Sequence, residues 1–330
     1  MKTLLHTTSV SLLLLLIVVN SSCENYISFA DEVALPAEEV PASDGFTLGA
    51  AFLASDTTLW LRTDRALNFL TGYTRRTSIR SNWPLVDEED LMITLFEDSE
   101  ELTHFEHIPE AMRYANSDDF SDSLQYTWPL YTTTSNYDAK LNNRALEEGR
   151  TYRLLVEHPR LGNYEITQVM PEKVTNIRTT AGSFVSGEIG SSSYQPITLN
   201  FERSGSDNRY FIVEVFNEFG VNNTVSTVDP RVPGSTAATS SALLLEVADD
   251  SDTSVTLVFR ALGTPGEPVK TISITAVSEG WYRFLASYNL FFELSSEIND
   301  GLTEPFQVYS NVPNGFGVFG LGNQARAEVE

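Results

Sequence analysis

The sequence predicts a mainly β protein. It reads as two β-sandwich domains of the immunoglobulin or prealbumin-like kind, followed by a C-terminal amphipathic helix and an extended glycine-rich tail. Three observations carry this. Apolar and polar residues alternate with period two in many short runs, as half-buried strands do. Turn-forming residues separate many of those runs, the punctuation of a sandwich. Helical spacing is confined to a few stretches. A chain of 330 residues, 42% hydrophobic, with 19 Phe, 13 Tyr and 4 Trp, has enough apolar surface to build two cores.

The chain opens with "MKTLLHTTSVSLLLLLIVVNSSC": one cation at Lys2, the apolar run 12–19, then small polar residues. That run is too short to span a bilayer, which takes about 20 residues. A charged start before a short apolar stretch is the pattern of a secretory signal peptide, here 1–22. Cys23, the single cysteine of the chain, follows directly. Ser21-Ser22-Cys23 resembles a bacterial lipobox, although Asn20 stands where an aliphatic residue is usual. Lipidation of Cys23 is therefore expected, and two acyl chains suffice for stable anchoring. With no second cysteine, the remaining chain depends on packing and not on disulfides. Residues 23–45, acidic and Pro-containing without an apolar period, read as a tether.

Strands follow. The runs "ITLNF" (197–201), "TYRLLVEH" (151–158) and "KTISITAV" (270–277) alternate cleanly. Further strands are expected at 46–53, 57–63, 91–96, 124–131, 164–170, 209–217, 241–248 and 254–261. Pro171 in "VMPEKVTNI" (169–177) marks a boundary, giving an N-terminal domain over 46–175 and a C-terminal domain over 176–322. A short helix is expected near 108–117, where Pro109 and Glu110 suit a first turn. A longer helix is expected over 278–296, with Ser278 as its cap and Trp281, Leu285, Tyr288 and Phe292 on one face. Residues 323–330 are expected to be a disordered tail, so that deleting 322–330 is tolerated.

Charge narrows the partners. With 45 acids against 21 bases, the formal net charge is −24. Such a surface repels phosphate backbones and excludes nucleic acid as a partner, along with docking to anionic lipid through a basic patch.

The chemical candidates are weak as chemistry. Gly315-x-Gly317-x-x-Gly320 matches a dinucleotide fingerprint but lacks the following helix and the acid about 20 residues on. Asn314-Gly315 reads as a turn, and the other glycines suit close backbone approach. His104 and His107 point to opposite faces of the strand expected there, so they cannot share a metal. The acidic runs "DEED" (87–90), "EDSEE" (97–101) and "DDSD" (249–252) read as solvated strand ends or loops, and adjacency alone does not make a glycosidase pair. Trp83 and Trp128, each followed by Pro-Leu, lie at edges or loop starts and are the candidate binding aromatics. No catalytic residue, metal ligand or cofactor is assigned.

The tail carries a resemblance. "EPFQVYSNVPNGFGVFG" (304–320), after the aromatic helix, resembles the close of a Bacteroidetes lipoprotein family, domain of unknown function 4249. The matching residues are Pro305-Phe306, Val308-Tyr309-Ser310-Asn311 and Gly315-Phe316-Gly317-Val318-Phe319-Gly320. The segments 147–174 and 197–215 look like the family's closing strands of the first domain and opening strands of the second. The resemblance implies a two-part, β-rich lipoprotein of the outer membrane, surface-facing by preference, beside a TonB-dependent receptor. It brings no catalytic residue. The expected function is that of an accessory or binding protein in nutrient uptake. Alternatives are a glycosidase-like hydrolase using paired carboxylates and a structural or adhesive surface protein. Phe306, Tyr309, Asn311, Gly315, Gly317, Phe319 and Gly320 are expected to close the second domain structurally, since the apolar ones each gain about 1.5–3 kcal/mol on burial.

Overall fold

The computed structural model describes residues 45–66, 91–108, 135–142, 144–159, 162–186, 193–205, 207–233, 241–247, 253–263, 267–287, 309–313 and 316–329. These residues are mainly strand. In chain order the strands are β1 (Gly45–Leu53), β2 (Thr58–Ala66), β3 (Met92–Glu97), β4 (Glu100–His104), β5 (Glu106–Ile108) and β6 (Ser135–Lys140). Next come β7 (Thr151–His158), β8 (Gly162–Val169), β9 (Thr175–Ala181), β10 (Val185–Ser186) and β11 (Ser193–Glu202). The last are β12 (Tyr210–Asn217), β13 (Val225–Ser226), β14 (Ala242–Glu246), β15 (Ser254–Gly263), β16 (Val269–Val277) and β17 (Phe316–Glu328). One described helix, α1, covers 279–287. It is too short to cross a membrane.

Period-two alternation shows directly in burial. Along β7, Tyr152, Leu154, Val156 and His158 are buried while the residues between them are half-exposed. Along β15, Val255, Leu257, Phe259 and Ala261 are buried between exposed neighbours. Alternation of this kind gives β7 and β15 one face to a core and one to solvent, whereas β12 and β16 of the large sheet are buried at consecutive positions.

Three sheets result. The largest has eight strands in the order β14-β12-β16-β17-β1-β2-β6-β5. A five-stranded sheet runs β10-β11-β15-β13, with β9 also on β11, and a four-stranded sheet runs β4-β3-β7-β8. The eight-stranded sheet draws on both halves of the chain, and β17 is where they join. It pairs in parallel with β1, Thr47 opposite Phe316 through Leu53 opposite Gly322. On its other side it pairs antiparallel with β16, Val277 opposite Gly322 through Thr271 opposite Glu328.

Side-chain parity along β17 sorts the cores. Phe319 and Leu321 join Phe52, Leu59, Leu61, Ile93, Leu154 and Ile166, packing the four-stranded sheet against this one. Ala325, on the same parity, joins Phe211, Val213, Ile274, Leu199, Leu257 and Phe259, so the five-stranded sheet covers the same face further along. Val318, on the opposite parity, joins Ala51, Ile212, Leu244, Trp281, Tyr282 and Leu285, where α1 covers the other face.

Two expectations need correction. Residues 323–328 are not a disordered tail: they are the second half of β17, each paired with a residue of β16. Ser278 does not spend its hydroxyl on the helix end. Its carbonyl accepts the Tyr282 N–H at 3.1 Å, beginning α1, while its hydroxyl accepts the Leu321 N–H at 3.1 Å. The helix expected over 278–296 is described as far as residue 287. The strand expected at 124–131 and the helix near 108–117 lie almost wholly outside the described residues.

Candidate functional site

The glycine pattern belongs to the interior of β17, not to a turn that opens a helix. Gly317 has φ of +124°, and a Cβ built there would land inside the Leu48 carbonyl of β1. Gly320 and Gly322 do a different job. Trp281 is only 1% exposed and lies over both. A Cβ on Gly320 would stand 2.6 Å from Trp281 Cβ, and one on Gly322 would stand 2.8 Å from Trp281 Cζ3 and 2.9 Å from Thr275 Cγ2. Such distances leave no room for any side chain, so these glycines form a flat seat for the indole.

The approach to β17 is fixed by Asn311. Its side-chain amide donates to the Phe319 carbonyl at 2.8 Å and accepts the Phe319 N–H at 2.9 Å. One side chain thus imitates a neighbouring strand for one residue. Tyr309 is half-buried; its N–H donates to Ser287 Oγ at 2.9 Å, and the Arg283 guanidinium lies 5.9 Å from its ring. Arg283 also pairs with Glu279 one turn earlier. The geometry of this region is that of a packed closure.

Of the acidic runs, 97–101 sits at the β3–β4 hairpin, whose two turn residues, Asp98 and Ser99, have φ of 51° and 107°. Glu97 accepts from Tyr152 Oη at 2.6 Å and from Arg144 at 2.8 Å. Asp98 accepts the Thr151 N–H at 3.0 Å and an Arg150 N–H at 2.6 Å. Those two bonds, backbone first, hold the Asp98 carboxyl below its usual range. Burial, followed by the bond to Glu97, pushes the Tyr152 phenol well above its usual range. Arg150 reaches Glu147 as well, at 3.2 Å. Glu97, Asp98 and Glu147 therefore each face a cation of the same hairpin network. The runs 87–90 and 249–252 lie outside the described residues.

Two other carboxyls are shifted upward. Burial raises Asp56, in the β1–β2 turn, to about 6, against the opposing effect of the Leu53 N–H it accepts at 2.8 Å. Asp138 on β6 is raised by burial, with Glu106 adding to the effect and Lys140 opposing it. On the helix side, burial pushes the Tyr282 phenol up; its ring stacks on Tyr210 at 4.7 Å.

His104 and His107 end up in different sheets, because the chain breaks step at Phe105 between β4 and β5. His104 shares a hydrogen bond with Thr94 Oγ1 at 2.9 Å and reaches Glu101 at 2.7 Å. His107 packs edge-on against the Tyr137 ring at 5.2 Å. Among the described residues, no group of three or more His, Cys, Asp or Glu is placed to hold a metal ion.

Of the residues singled out in the sequence, Tyr309, Asn311, Gly317, Phe319 and Gly320 come together around β17 and α1. Cys23, Trp83, Trp128, Phe306 and Gly315 lie outside the described residues. The sequence reading missed the rigid handling of the segment after β8. Three successive carbonyls are captured there: Pro171 by Asn323 at 3.2 Å, Glu172 by Asn208 at 2.6 Å and Lys173 by Ser204 at 2.6 Å. Only "RSGSDN" (203–208), dense in residues that bond to nearby backbone, hints at this clamp.

A comparison with protein families finds a match. The model described as Domain of unknown function (DUF4249) matches residues 76–328, more than half of the chain and reaching well before residue 147. No curated protein matches.

Proposed function

Since the chain belongs to the family of domain of unknown function 4249, we propose that it is a lipid-anchored outer-membrane accessory protein. In this reading it works beside a TonB-dependent receptor in nutrient uptake. The observation that carries the reading is Cys23, placed directly behind the apolar run 12–19 and small residues. The lipoprotein character, the Bacteroidetes setting and the receptor neighbour are what the resemblance of the tail implies. The acidic tether 23–45 would join the folded part at the start of β1, and the surface-facing leaflet is the preferred location.

Within this reading the layers form two β-sandwich domains, 46–175 and 176–322, that share the eight-stranded sheet. The helix, described over 279–287, covers the sheet's other face. Trp83 and Trp128 remain the candidate binding aromatics. The hydrolase alternative draws no support from Glu97, Asp98 and Glu147, whose charges are met by Arg144 and Arg150.

Two experiments test the proposal. Cys23→Ala should release the protein from membranes, and retention after a high-salt wash would count against lipidation. Affinity purification in mild detergent should recover a β-barrel receptor in stoichiometric amount, and recovery of this chain alone would count against the receptor.

A further inference from the structure

β8 is the end strand of the four-stranded sheet, with β7 on one side. The Met170 N–H donates to the Arg150 carbonyl at 2.9 Å, and the ladder pairs Val169 with Thr151 through Gly162 with His158. In an antiparallel ladder, bonded and non-bonded pairs alternate. Gln168, Ile166, Tyr164 and Gly162 therefore spend their backbone groups on β7. Asn163, Glu165, Thr167 and Val169 point theirs the other way. All four are exposed, Val169 by 53%, and among the described residues their N–H groups have no backbone partner.

Free edges are normally guarded by Lys, Pro, a bulge or brevity. The other end strands here follow that rule. β5, β10 and β13 have only three, two and two residues. β4 pairs β3 with a register shift. β9 carries a register shift against β11 and a left-handed Asn176. On β14 the Glu246 N–H is taken by the Arg231 carbonyl at 2.9 Å. β8 has eight residues, "GNYEITQV", with neither Lys nor Pro, and no register shift against β7. Its one acid, Glu165, is turned back across the sheet to Arg153 at 3.1 Å.

We propose that the β8 edge is a docking site for an extended segment of another protein, which adds a fifth strand to this sheet. A row of alternating N–H and C=O groups is matched by another extended backbone, so the chemistry selects the occupant's conformation. A second copy is the poorer occupant, because each chain brings a net charge of −24. On the outer face, Thr167 and Val169 favour β-branched residues opposite them, while Glu165 is already paired with Arg153. The partner's identity, a receptor segment, rests on the function proposed above. The edge itself does not.

Thr167→Pro is the discriminating variant. It deletes one outward N–H while leaving the bonds to β7 intact, a strand setting in which proline is tolerated. The purified full chain should keep its melting temperature. Recovery of the β-barrel receptor should fall at least about tenfold, as expected when main-chain bonds give the affinity. In the wild-type complex, amide exchange at 163, 165, 167 and 169 should slow at least about tenfold relative to the free chain. Equal recovery by both proteins, with those amides still exchanging fast, overturns the edge proposal and leaves the receptor reading standing. Recovery of wild-type chain alone sinks the receptor reading instead. A synthetic peptide of alternating valine and threonine then decides the edge: slowed exchange of the same amides upholds it, and unchanged exchange overturns it. Protection that grows with the concentration of the isolated chain would assign the edge to a second copy and also overturn the proposal.

Discussion

β17 and β8 are strands of one protein placed in opposite circumstances. β17 runs thirteen residues, paired with β1 over 316–322 and with β16 over 322–328, and α1 lies over Gly320 and Gly322. β8 runs eight residues with a neighbour on one side only. The internal strand is rich in glycine, a residue that weakens strands in general, while the edge strand has Gly only at its first position. The difference shows that strand propensity is not what places these segments. β17 is internal because what surrounds it needs the absence of side chains at three positions. β8 is an edge because, among the described strands, only β7 pairs with it.

The contrast is broken most severely at Gly317. Adding a Cβ there demands both a forbidden φ and displacement of the Leu48 carbonyl, so Gly317→Val should cost at least ~3 kcal/mol, the upper range for strained backbone. A chain with that substitution and an unchanged denaturation midpoint would show that β17 does not sit against β1. Next in size is Trp281→Ala, which removes the indole from its glycine seat. Large core truncations of this kind cost about 3–5 kcal/mol, and chemical denaturation measures it. Asn311→Ala should cost about 1–3 kcal/mol by leaving the Phe319 backbone groups without their partner. The substitution Asn311→Asp should retain only the acceptor half of that pairing.

A smaller effect concerns pH. Burial raises the Asp56 carboxyl to about 6, from 3.8 when exposed. Between those values the folded state holds a proton that the unfolded chain has released. Stability from this group therefore falls as pH rises from about 4 to about 6 and is level above. Asp56→Asn should flatten that slope in a melting series across the interval. Asp98, whose carboxyl is held low by Thr151 and Arg150, acts in the opposite sense: its contribution is present above its ordinary value and is lost as pH falls through the depressed one. The smallest effect on stability is expected from Thr167→Pro on β8, within about 0.5 kcal/mol as for other surface positions without special contacts.

Much of the strand content was legible, for a physical reason. Runs such as "TYRLLVEH" and "SVTLVFRAL" bury alternate residues, and alternation is visible without knowing the partner. β6 and β9 were not legible, since polar residues dominate "SNYDAK" and "TNIRTTA", and β10 and β13 are only two residues long. The tail was legible only in part. Phe319 and Val318 announced burial, and close approach at the glycines was a correct reading. "NQARAE" (323–328) looks solvated, because its outward residues Gln324, Arg326 and Glu328 face solvent while Asn323 and Ala325 are small and buried. That stretch pairs with β16 all the same, so deleting 322–330 should now destabilise the fold. A small inward residue gives weak hydropathic contrast, and pairing partners leave no mark in local sequence.

β17 joins the two parts of the eight-stranded sheet, and the rest of the fold depends on that junction. Residue-resolved amide hydrogen exchange on the intact protein tests it directly. Amides of 318–327 should exchange as slowly as their partners in β1 and β16, while β8 shows alternating protection with 163, 165, 167 and 169 fast. Fast exchange throughout 323–328, with β16 still protected, would contradict the junction and return that stretch to a solvent-exposed tail.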